Sequence, residues 1–320
     1  MTILVTGATG KIAHHLIPLL VDDGRSVRAM VHSRDKEPCV QRQGAETAVA
    51  SFDDPRSLEL ALQGVETVLL LTPPHPRAAE WASTCIALAK ETGIKRIVRI
   101  SAILAGPNGP SDNNRQHGRT DDEIRRSGIA YVILRPHFFM QNLLADIDTL
   151  KSENVLQAAA GTAKLGMIDV RDIADVAKCA LIDARWDGNA YDLTGPASIS
   201  FEEIVHELSD LLRRPIHYAP ITPKELAQKV REMGLDEWSA QSFHDYLQAY
   251  GEGWGDFTTD AVETISGHRA RSFRQFAEEV FLPALSRLES AASTERLGSA
   301  SSLHDRSKRY FRSGRTSERT

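Results

Sequence analysis

Short apolar runs alternate along the first half of the chain with segments in which apolar residues recur at helical spacing. Such runs are too short for helices, so they predict buried strands, whereas segments such as 78–92 and 116–127 predict helices. Strands that alternate with helices of this length predict a parallel sheet covered on both faces, which is a doubly wound α/β fold. The predicted strands of this part are residues 3–6, 26–31, 45–50, 65–71, 97–100 and 129–134.

The alternation becomes less regular after residue 142. Short strands are predicted at 155–158, 165–168, 190–193 and 216–219, and amphipathic helices at 173–183, 201–212, from 222 and at 272–285. We therefore divide the chain into a nucleotide-binding core at 1–142 and a smaller α/β C-terminal lobe at 143–288. The lobe is interleaved with the core and is expected to bind the substrate. Residues 289–320 are rich in Ser, Arg and Thr and predict a disordered, solvated tail, although their basic excess leaves contact with an anionic surface open.

Composition excludes several classes of protein. Of the 320 residues, 42% are hydrophobic and 25% charged, and the formal net charge is −5. This balance gives no reason to expect binding to nucleic acid or to a membrane. The expected partner is a small-molecule substrate, and a homodimer is left open. The chain enters a strand at once without a signal peptide, and Cys39, Cys85 and Cys179 are widely spaced, so we expect reduced thiols, no metal site and a cytoplasmic protein.

A glycine-containing turn joins the first strand to the first helix. Gly7 permits a tight turn, Gly10 lets the backbone approach a pyrophosphate, and Ala13 lets the helix pack close to the strand. Strand, glycine turn and helix in this order are typical of a Rossmann-type dinucleotide-binding loop, in which helix N–H groups face the phosphates. A plain tight turn is the alternative. The residues predicted to bind the cofactor here are Gly7, Thr9, Gly10, Lys11 and Ile12.

The end of the second strand indicates which nicotinamide dinucleotide binds. An acidic residue there would bind the free ribose hydroxyls of NAD, and positions 32–34 hold His32, Ser33 and Arg34 instead. Arg34 can pair with a 2′-phosphate, helped by Ser33 and His32, so NADP is predicted and NAD is less favoured. A solvated loop arginine is the alternative interpretation.

The ends of the later strands supply the rest of the predicted cofactor site. Asp53 follows the third strand and is a candidate for contact with the adenine amine, although a residue of the adjacent helix cap is the alternative. The nicotinamide is expected over the ends of the fourth and fifth strands. The predicted cofactor-binding residues at these strand ends are Leu71, Thr72, Pro73, Ser101 and Pro136.

Aromatic residues indicate where a substrate would bind. One run follows the strand at 129–134, and a second cluster lies at 233–257, in a chain with only 6% aromatic residues. They suit a pocket for a planar apolar molecule, but packing within the core is the alternative. The loop at 105–114 is predicted to be mobile over this site. The predicted substrate-binding residues are His137, Phe138, Phe139, Asn142, Trp238 and Tyr246.

Several of these stretches resemble the NmrA-like branch of the atypical short-chain dehydrogenases/reductases. This resemblance covers residues 2–218 and again 258–276, and it implies a Rossmann fold that binds NAD(P). The branch includes NADPH-dependent quinone, azo-dye and ether reductases as well as nucleotide-sensing regulators without catalysis. The matching motifs are VTGATG at 5–10, IKRIV at 94–98, SGIAY at 127–131, LRP at 134–136, DVRDIA at 169–174 and YDLTGP at 191–196.

The chain departs from the superfamily at its catalytic pair. No Tyr is followed by Lys four positions later; Tyr131 and Arg135 have that spacing but lie on a predicted strand, about 13 Å apart. His117 matches a position where related ether reductases carry Lys and some quinone reductases His. The resemblance therefore implies His117 as the catalytic residue that handles a substrate proton near pH 7, with a helix-packing histidine as the alternative. Many relatives also carry Arg where His32 stands.

These features predict an NADPH-dependent reductase. Its substrate would be a small conjugated or aromatic acceptor such as a quinone, enone, imine or azo compound, for which binding and orientation supply most of the catalysis. The alternative is a non-catalytic NADP-sensing regulator that binds a protein partner. A sugar-nucleotide epimerase is a weaker third hypothesis, because those enzymes usually keep the Tyr/Lys pair.

Overall fold

The computed structural model describes residues 1–295, with the side chains of residues 1–288. Its strands are β1 (Thr2–Val5), β2 (Ser26–Val31), β3 (Glu46–Val49), β4 (Thr67–Leu70), β5 (Arg96–Ile100), β6 (Ala130–Pro136), β7 (Val155–Ala158), β8 (Lys164–Leu165), β9 (Asn189–Leu193), β10 (Ile199–Ser200) and β11 (His217–Pro220). Its helices are α1 (Lys11–Asp22), α2 (Glu37–Gln41), α3 (Pro55–Leu62), α4 (Ala78–Glu91), α5 (Asp112–Arg126), α6 (Ile147–Glu153), α7 (Val170–Ile182), α8 (Phe201–Leu212), α9 (Pro223–Glu232), α10 (Glu237–Gly251), α11 (Ala261–Ser266), α12 (Phe273–Phe276) and α13 (Leu282–Glu295).

Seven strands form one parallel sheet in the order β3-β2-β1-β4-β5-β6-β9, which confirms the predicted doubly wound fold. The strand order reverses between β1 and β4. Ligands of such sheets bind outside the carboxyl ends of the strands at this reversal. The core there is apolar on both faces of the sheet; Leu4 and Leu69, for example, are fully buried.

The lobe has its own hydrophobic core. The parallel pair β7/β11 and the antiparallel pair β8/β10 are its sheets, and helices α6, α8, α12 and α13 contribute to its packing. Ser200 and Glu203 form a capping box that starts α8. Although α7 and β9 follow residue 143, α7 packs on the large sheet and β9 is its last strand.

Two elements differ from the sequence prediction. The strand predicted at 165–168 ends at Leu165, and Ile168 makes only a single bridge to Phe139. The helix predicted at 272–285 contains a π-helical turn over Ala277–Phe281 just before Pro283, whose missing N–H cannot continue an α-helical ladder.

The end of the described chain also differs from the prediction. Helix α13 continues past the predicted boundary at residue 289 to Glu295, the last residue that the structure describes. The remainder of the predicted disordered tail lies outside the described residues. Within residues 1–295, no helix is long and apolar enough to cross a membrane.

Candidate functional site

The glycine loop, residues 7–10, joins β1 to α1 as predicted. Gly7 has φ +62°, a region that favours glycine, and its carbonyl accepts a hydrogen bond from the Gly10 N–H at 2.9 Å. Gly10 caps α1 without a side-chain bond, and the first turn of α1 holds no acidic residue. The first N–H groups of this helix therefore lack intrahelical partners and face no competing carboxylate, which suits a pyrophosphate.

Thr6 ties the glycine loop to the end of β4. Its fully buried hydroxyl lies 3.0 Å from the carbonyl oxygens of Leu69 and Leu71 and accepts the Leu71 N–H at 2.8 Å. A Cβ at Gly7 would lie 3.2 Å from the Leu71 side chain. The Leu71 side chain therefore packs against the glycine loop at Gly7. Sequence reasoning missed Thr6, although a hydroxyl at the end of a buried strand requires a partner.

The end of β2 places His32 and Arg34 at the surface and Ser33 half-buried. The next residue, Asp35, is acidic; the Ser33 hydroxyl and Lys36 lower the pKa of its carboxyl to about 2. This carboxylate lies one position beyond the segment considered for ribose recognition, and Lys36 pairs with it at 2.9 Å. Arg34 is therefore next in sequence to an acidic residue, Asp35, whose charge is neutralised by the ion pair with Lys36.

Asp53 holds the start of α4. Its Oδ1 accepts hydrogen bonds from Arg77 Nη1 at 2.6 Å and from Trp81 Nε1 at 2.9 Å. The Trp81 ring stacks on His75, with the ring centroids 4.2 Å apart. Both hydrogen bonds use Oδ1 of Asp53, and neither uses Oδ2. Contact between the Asp53 carboxylate and adenine stays a prediction.

A polar cluster occupies the carboxyl ends of β4, β5 and β6. Its centre is Arg99 on β5, of which only 1% is exposed. Arg99 Nη1 donates to the Leu70 carbonyl at 3.1 Å, and Nη2 lies 3.4 Å from Thr72 Oγ1 and 3.0 Å from His117 Nδ1. The residues of the polar cluster are Thr72, Arg99, Ser101, His117, Asp121 and Arg135.

His117 has a defined protonation state in this cluster. A guanidinium has only donors, so Nδ1 of His117 accepts the bond from Arg99 and the ring proton lies on Nε2. Burial, reinforced by the charge of Arg99, holds the pKa of His117 well below its ordinary value. The imidazole is therefore neutral at pH 7 and offers a hydrogen bond, and its predicted role in handling a substrate proton stays a prediction.

Asp121 and Arg135 form the second half of the cluster. Arg135 donates to Asp121 Oδ2 through Nε at 3.0 Å and Nη2 at 2.9 Å, and Asp121 is fully buried. Burial raises the pKa of Asp121, and the charges of Arg99 and Arg135 oppose that shift. Sequence reasoning did not assign Arg99 or Asp121 to the site. A charged residue inside a predicted buried strand was the available signal, because it requires a partner.

His137, a predicted substrate residue, is engaged in contacts within the protein. This side chain is 1% exposed, its Nδ1 accepts the Phe138 N–H at 2.7 Å, and its Nε2 donates to the Gly255 carbonyl at 3.1 Å. Its ring stacks on Tyr250, and burial lowers its pKa to about 4. With both nitrogens used, His137 fixes the 250–257 segment to the end of β6 and has no polar group left for a substrate.

The remaining predicted substrate residues lie where the lobe meets the core. Phe138 and Phe139 are half-buried and pack against the lobe core and the sheet core respectively, whereas Met140 is buried. Tyr246 accepts a hydrogen bond from the Tyr250 hydroxyl at 2.6 Å. Their packing leaves the role of pocket lining a prediction.

Two contacts involve predicted substrate residues, and the second joins the lobe to the nucleotide-binding core. Lys11 Nζ, whose pKa is lowered by burial, lies 3.4 Å from Asn142 Oδ1, so a predicted cofactor residue contacts a predicted substrate residue. Trp238 Nε1 on α10 donates to Asp112 Oδ2 at the start of α5, at 2.9 Å. The bond between Trp238 and Asp112 places α10 beside α5, the helix that carries His117.

The loop between β5 and α5 is bound to its neighbours by several contacts, and its predicted mobility stays a prediction. Helix α5 begins earlier than predicted, at Asp112, and the Asn114 amide donates to the Ile103 carbonyl at 2.8 Å. A Cβ on Gly118 would lie 2.5 Å from the backbone of Gly106, so the loop packs directly on α5. Leu104 adopts φ +60°, which is unusual for a residue with a side chain.

One acidic group has the spacing of metal ligands. Asp172, Asp175 and His268 bring their ligand atoms within 4.8 Å of one another. Arg271 donates to both carboxylates, at 2.9 Å to Asp175. The guanidinium already supplies the positive charge, so we assign this group a structural role in joining α7 to the segment before α12.

These features are those of a Rossmann-type dinucleotide-binding protein. They are the reversal of strand order between β1 and β4, the glycine loop, and a first turn of α1 that has no side-chain cap. The model of a family described as NAD(P)H-binding matches residues 7–184, and the chain belongs to this family. The predicted family, fold and nicotinamide cofactor, NADP(H), are confirmed.

Individual relatives span nearly the whole chain. The NAD(P)H azoreductase of Xenophilus azovorans is 32% identical over 86% of this chain and 96% of its own. The prestalk A differentiation protein A of Dictyostelium discoideum is 30% identical, over 88% and 93%. The crystal structure of an Escherichia coli NADPH-dependent quinone oxidoreductase complexed with NADPH matches with a TM-score of 0.79 at 25% identity, over 87% of this chain and 99% of that one.

Proposed function

We propose that the protein is an NADPH-dependent reductase of a small conjugated or aromatic acceptor, such as a quinone, enone, imine or azo compound. The observation that carries this proposal is the polar cluster: a neutral hydrogen-bond donor, His117, held by a buried arginine at the strand ends beside the dinucleotide crevice. The azoreductase and quinone oxidoreductase relatives support the same class of acceptor.

The chain's residues divide into three roles in this proposal. The glycine loop, the start of α1 and Arg34 bind NADPH, with Thr72, Pro73, Ser101 and Pro136 beside its nicotinamide. The chemistry that the reduced cofactor supplies when bound is a hydride. His117 orients the acceptor through Nε2–H, and the half-buried aromatic residues that follow β6 and those on α10 exclude water from it. The residues proposed to contact the acceptor are Phe138, Phe139, Asn142, Trp238 and Tyr246.

A non-catalytic NADP-sensing regulator that binds a protein partner is the second candidate. The missing Tyr/Lys pair favours it, and one relative is named for differentiation rather than for a reaction. In that case the polar cluster would serve only to stabilise the fold.

Steady-state oxidation of NADPH against a panel of quinones, enones, imines and azo dyes separates the two. We expect turnover with at least one acceptor, and a loss of about 10²-fold in kcat for His117→Ala, the usual effect of removing one oriented donor. His206→Ala, an exposed histidine on α8, is the matched control and should keep full activity. Tight NADPH binding without turnover of any acceptor would favour the regulator.

A further inference from the structure

Arg99 determines which nitrogen of His117 carries the proton. Arg99 is held in place by the Leu70 carbonyl at 3.1 Å and by Thr72, so its Nη2 is aimed at His117 Nδ1 at 3.0 Å. Because the guanidinium cannot accept a hydrogen bond, the opposite tautomer of His117 would place two donors against each other inside the protein. The arrangement leaves Nε2–H as the only ring donor.

We propose that Arg99 is a positioning residue that fixes His117 as a hydrogen-bond donor through Nε2, and that the site consequently favours neutral acceptors with a conjugated carbonyl oxygen over cationic acceptors. This inference rests on the proposed reductase function. It adds a tautomer, a residue that imposes it and a preference within the acceptor class.

The charges around His117 support this preference. Arg99 is charged at neutral pH and donates a hydrogen bond directly to the imidazole ring of His117. The carboxylate of Asp121 lies one helical turn further along α5 and is bound by Arg135 through two hydrogen bonds. An oxygen that gains negative charge against Nε2–H is stabilised by the guanidinium behind the ring. An iminium or carbocation has no lone pair for Nε2–H and is repelled by the same charge.

The proposed step balances without a charged acid. A quinone gains two electrons and one proton as hydride and becomes a hydroquinone monoanion, while NADPH is converted to NADP⁺. The oxygen that carries the new charge accepts the hydrogen bond from His117 Nε2, and the second proton comes from water. An imine or azo nitrogen that must be protonated before it leaves the site gains less from a neutral donor.

The tautomer is tested by ¹⁵N NMR of the ring nitrogens of His117 in the full chain with NADP⁺ bound. For the wild type we expect an unprotonated Nδ1 and a protonated Nε2, unchanged between pH 6 and 8. Arg99→Met should give tautomer exchange or an imidazolium signal, and Arg99→Lys, which keeps one charged donor, should restore part of the wild-type pattern. Arg96→Met, at the opposite end of β5 in an ion pair with Asp187, is the matched control. A wild-type ring with the proton on Nδ1 overturns the proposal, even if both Arg99 variants fail to fold.

The preference is tested with 1,4-naphthoquinone as the neutral probe and crystal violet as the cationic one. We expect the wild-type kcat/KM ratio of quinone to cation to fall about tenfold in Arg99→Met, through kcat rather than through the KM for NADPH. An unchanged ratio overturns the acceptor preference. Absence of turnover with every acceptor overturns the reductase function and this preference together, whereas the NMR result still decides the role of Arg99.

Discussion

The glycine loop and the polar cluster lie at the same end of the sheet but are built in different ways. The loop comes from one short stretch of chain, and it presents backbone N–H groups and the positive end of α1. The cluster is assembled from the ends of β4, β5 and β6 and from α5, and it presents buried side chains with formal charges. Local sequence is therefore sufficient to specify the first region, whereas only the completed sheet brings the second together.

The glycine loop and the polar cluster also differ in how much charge they bury, and therefore in their effect on the stability of the fold. The glycine loop is closed by the hydrogen bond from the Gly10 N–H to the Gly7 carbonyl, and residues 7–10 carry no charged side chain, so this turn buries no charge. In the cluster, Arg99 and Asp121 are buried ions whose desolvation is offset only by their partners. Changes in the loop should thus affect binding, and changes in the cluster should affect stability as well.

The largest effect is expected for Gly10→Val. A Cβ at this position would lie 3.1 Å from the Gly7 carbonyl, and the larger side chain would occupy the volume that a pyrophosphate needs. Loss of two charge-assisted hydrogen bonds predicts at least about 100-fold weaker NADPH binding. Titration calorimetry measures the affinity and circular dichroism the fold. Gly251→Val, where the added Cβ meets no atom within 4 Å, is the control; normal NADPH binding by Gly10→Val would remove the loop from the cofactor site.

Asp121→Asn should instead reduce stability. The substitution leaves Arg135 without its carboxylate, and we expect a loss of about 2–3 kcal/mol in the free energy of unfolding, at the low end for a buried pair because Arg135 is partly exposed. Urea unfolding measures it. Asp122→Asn, the neighbouring exposed residue paired with Arg125, should cost less than about 0.5 kcal/mol. Equal effects of the two substitutions would contradict the account of the cluster.

His137 gives the stability a defined pH dependence. Its pKa in the folded chain is about 4, below the ordinary value of 6.5, so the unfolded chain binds the proton first as the pH falls. The stability from this group is complete above pH 6.5 and is lost on acidification towards pH 4. Between pH 7 and 5 the wild type should lose about 2 kcal/mol more than His137→Gln in urea unfolding. Parallel pH profiles of the two proteins would show that His137 is not held neutral.

Arg34→Ala is expected to have the smallest effect. An exposed arginine beside a compensated Asp35 should contribute about 1.4 kcal/mol to a 2′-phosphate, so NADPH should bind about tenfold more weakly and NADH nearly unchanged. Fluorescence titration of both cofactors measures the difference. Equal wild-type affinities for NADPH and NADH would refute the predicted preference for the phosphorylated cofactor.

The sequence predicted the glycine loop and most elements because their signals are local. Gly7 and Gly10 act within a few residues of chain. The same holds for the Asp54 cap with Pro55 that starts α3 and for the capping box of Ser200 that starts α8. The start of α5 was placed late because Ser111 caps a first turn of polar residues, which carries no apolar period.

The polar cluster was only partly predictable. His117 was identified through family resemblance, but its tautomer depends on Arg99, eighteen positions earlier and on a different element. His137 was predicted as a substrate contact because its polar ring lies beside aromatic residues in the sequence. Its two partners, the Phe138 N–H and the Gly255 carbonyl, become visible only when the lobe packs on β6.

Transfer of isotope from NADPH tests the central claim most directly. The enzyme is incubated with an enone acceptor and NADPH in which both C4 hydrogens are deuterium, and the product is analysed by mass spectrometry and NMR. We predict one deuterium on the reduced carbon of the product, and about 10²-fold slower formation of this product by His117→Ala. Saturation with NADPH without transfer of deuterium to any acceptor of the panel would contradict the account.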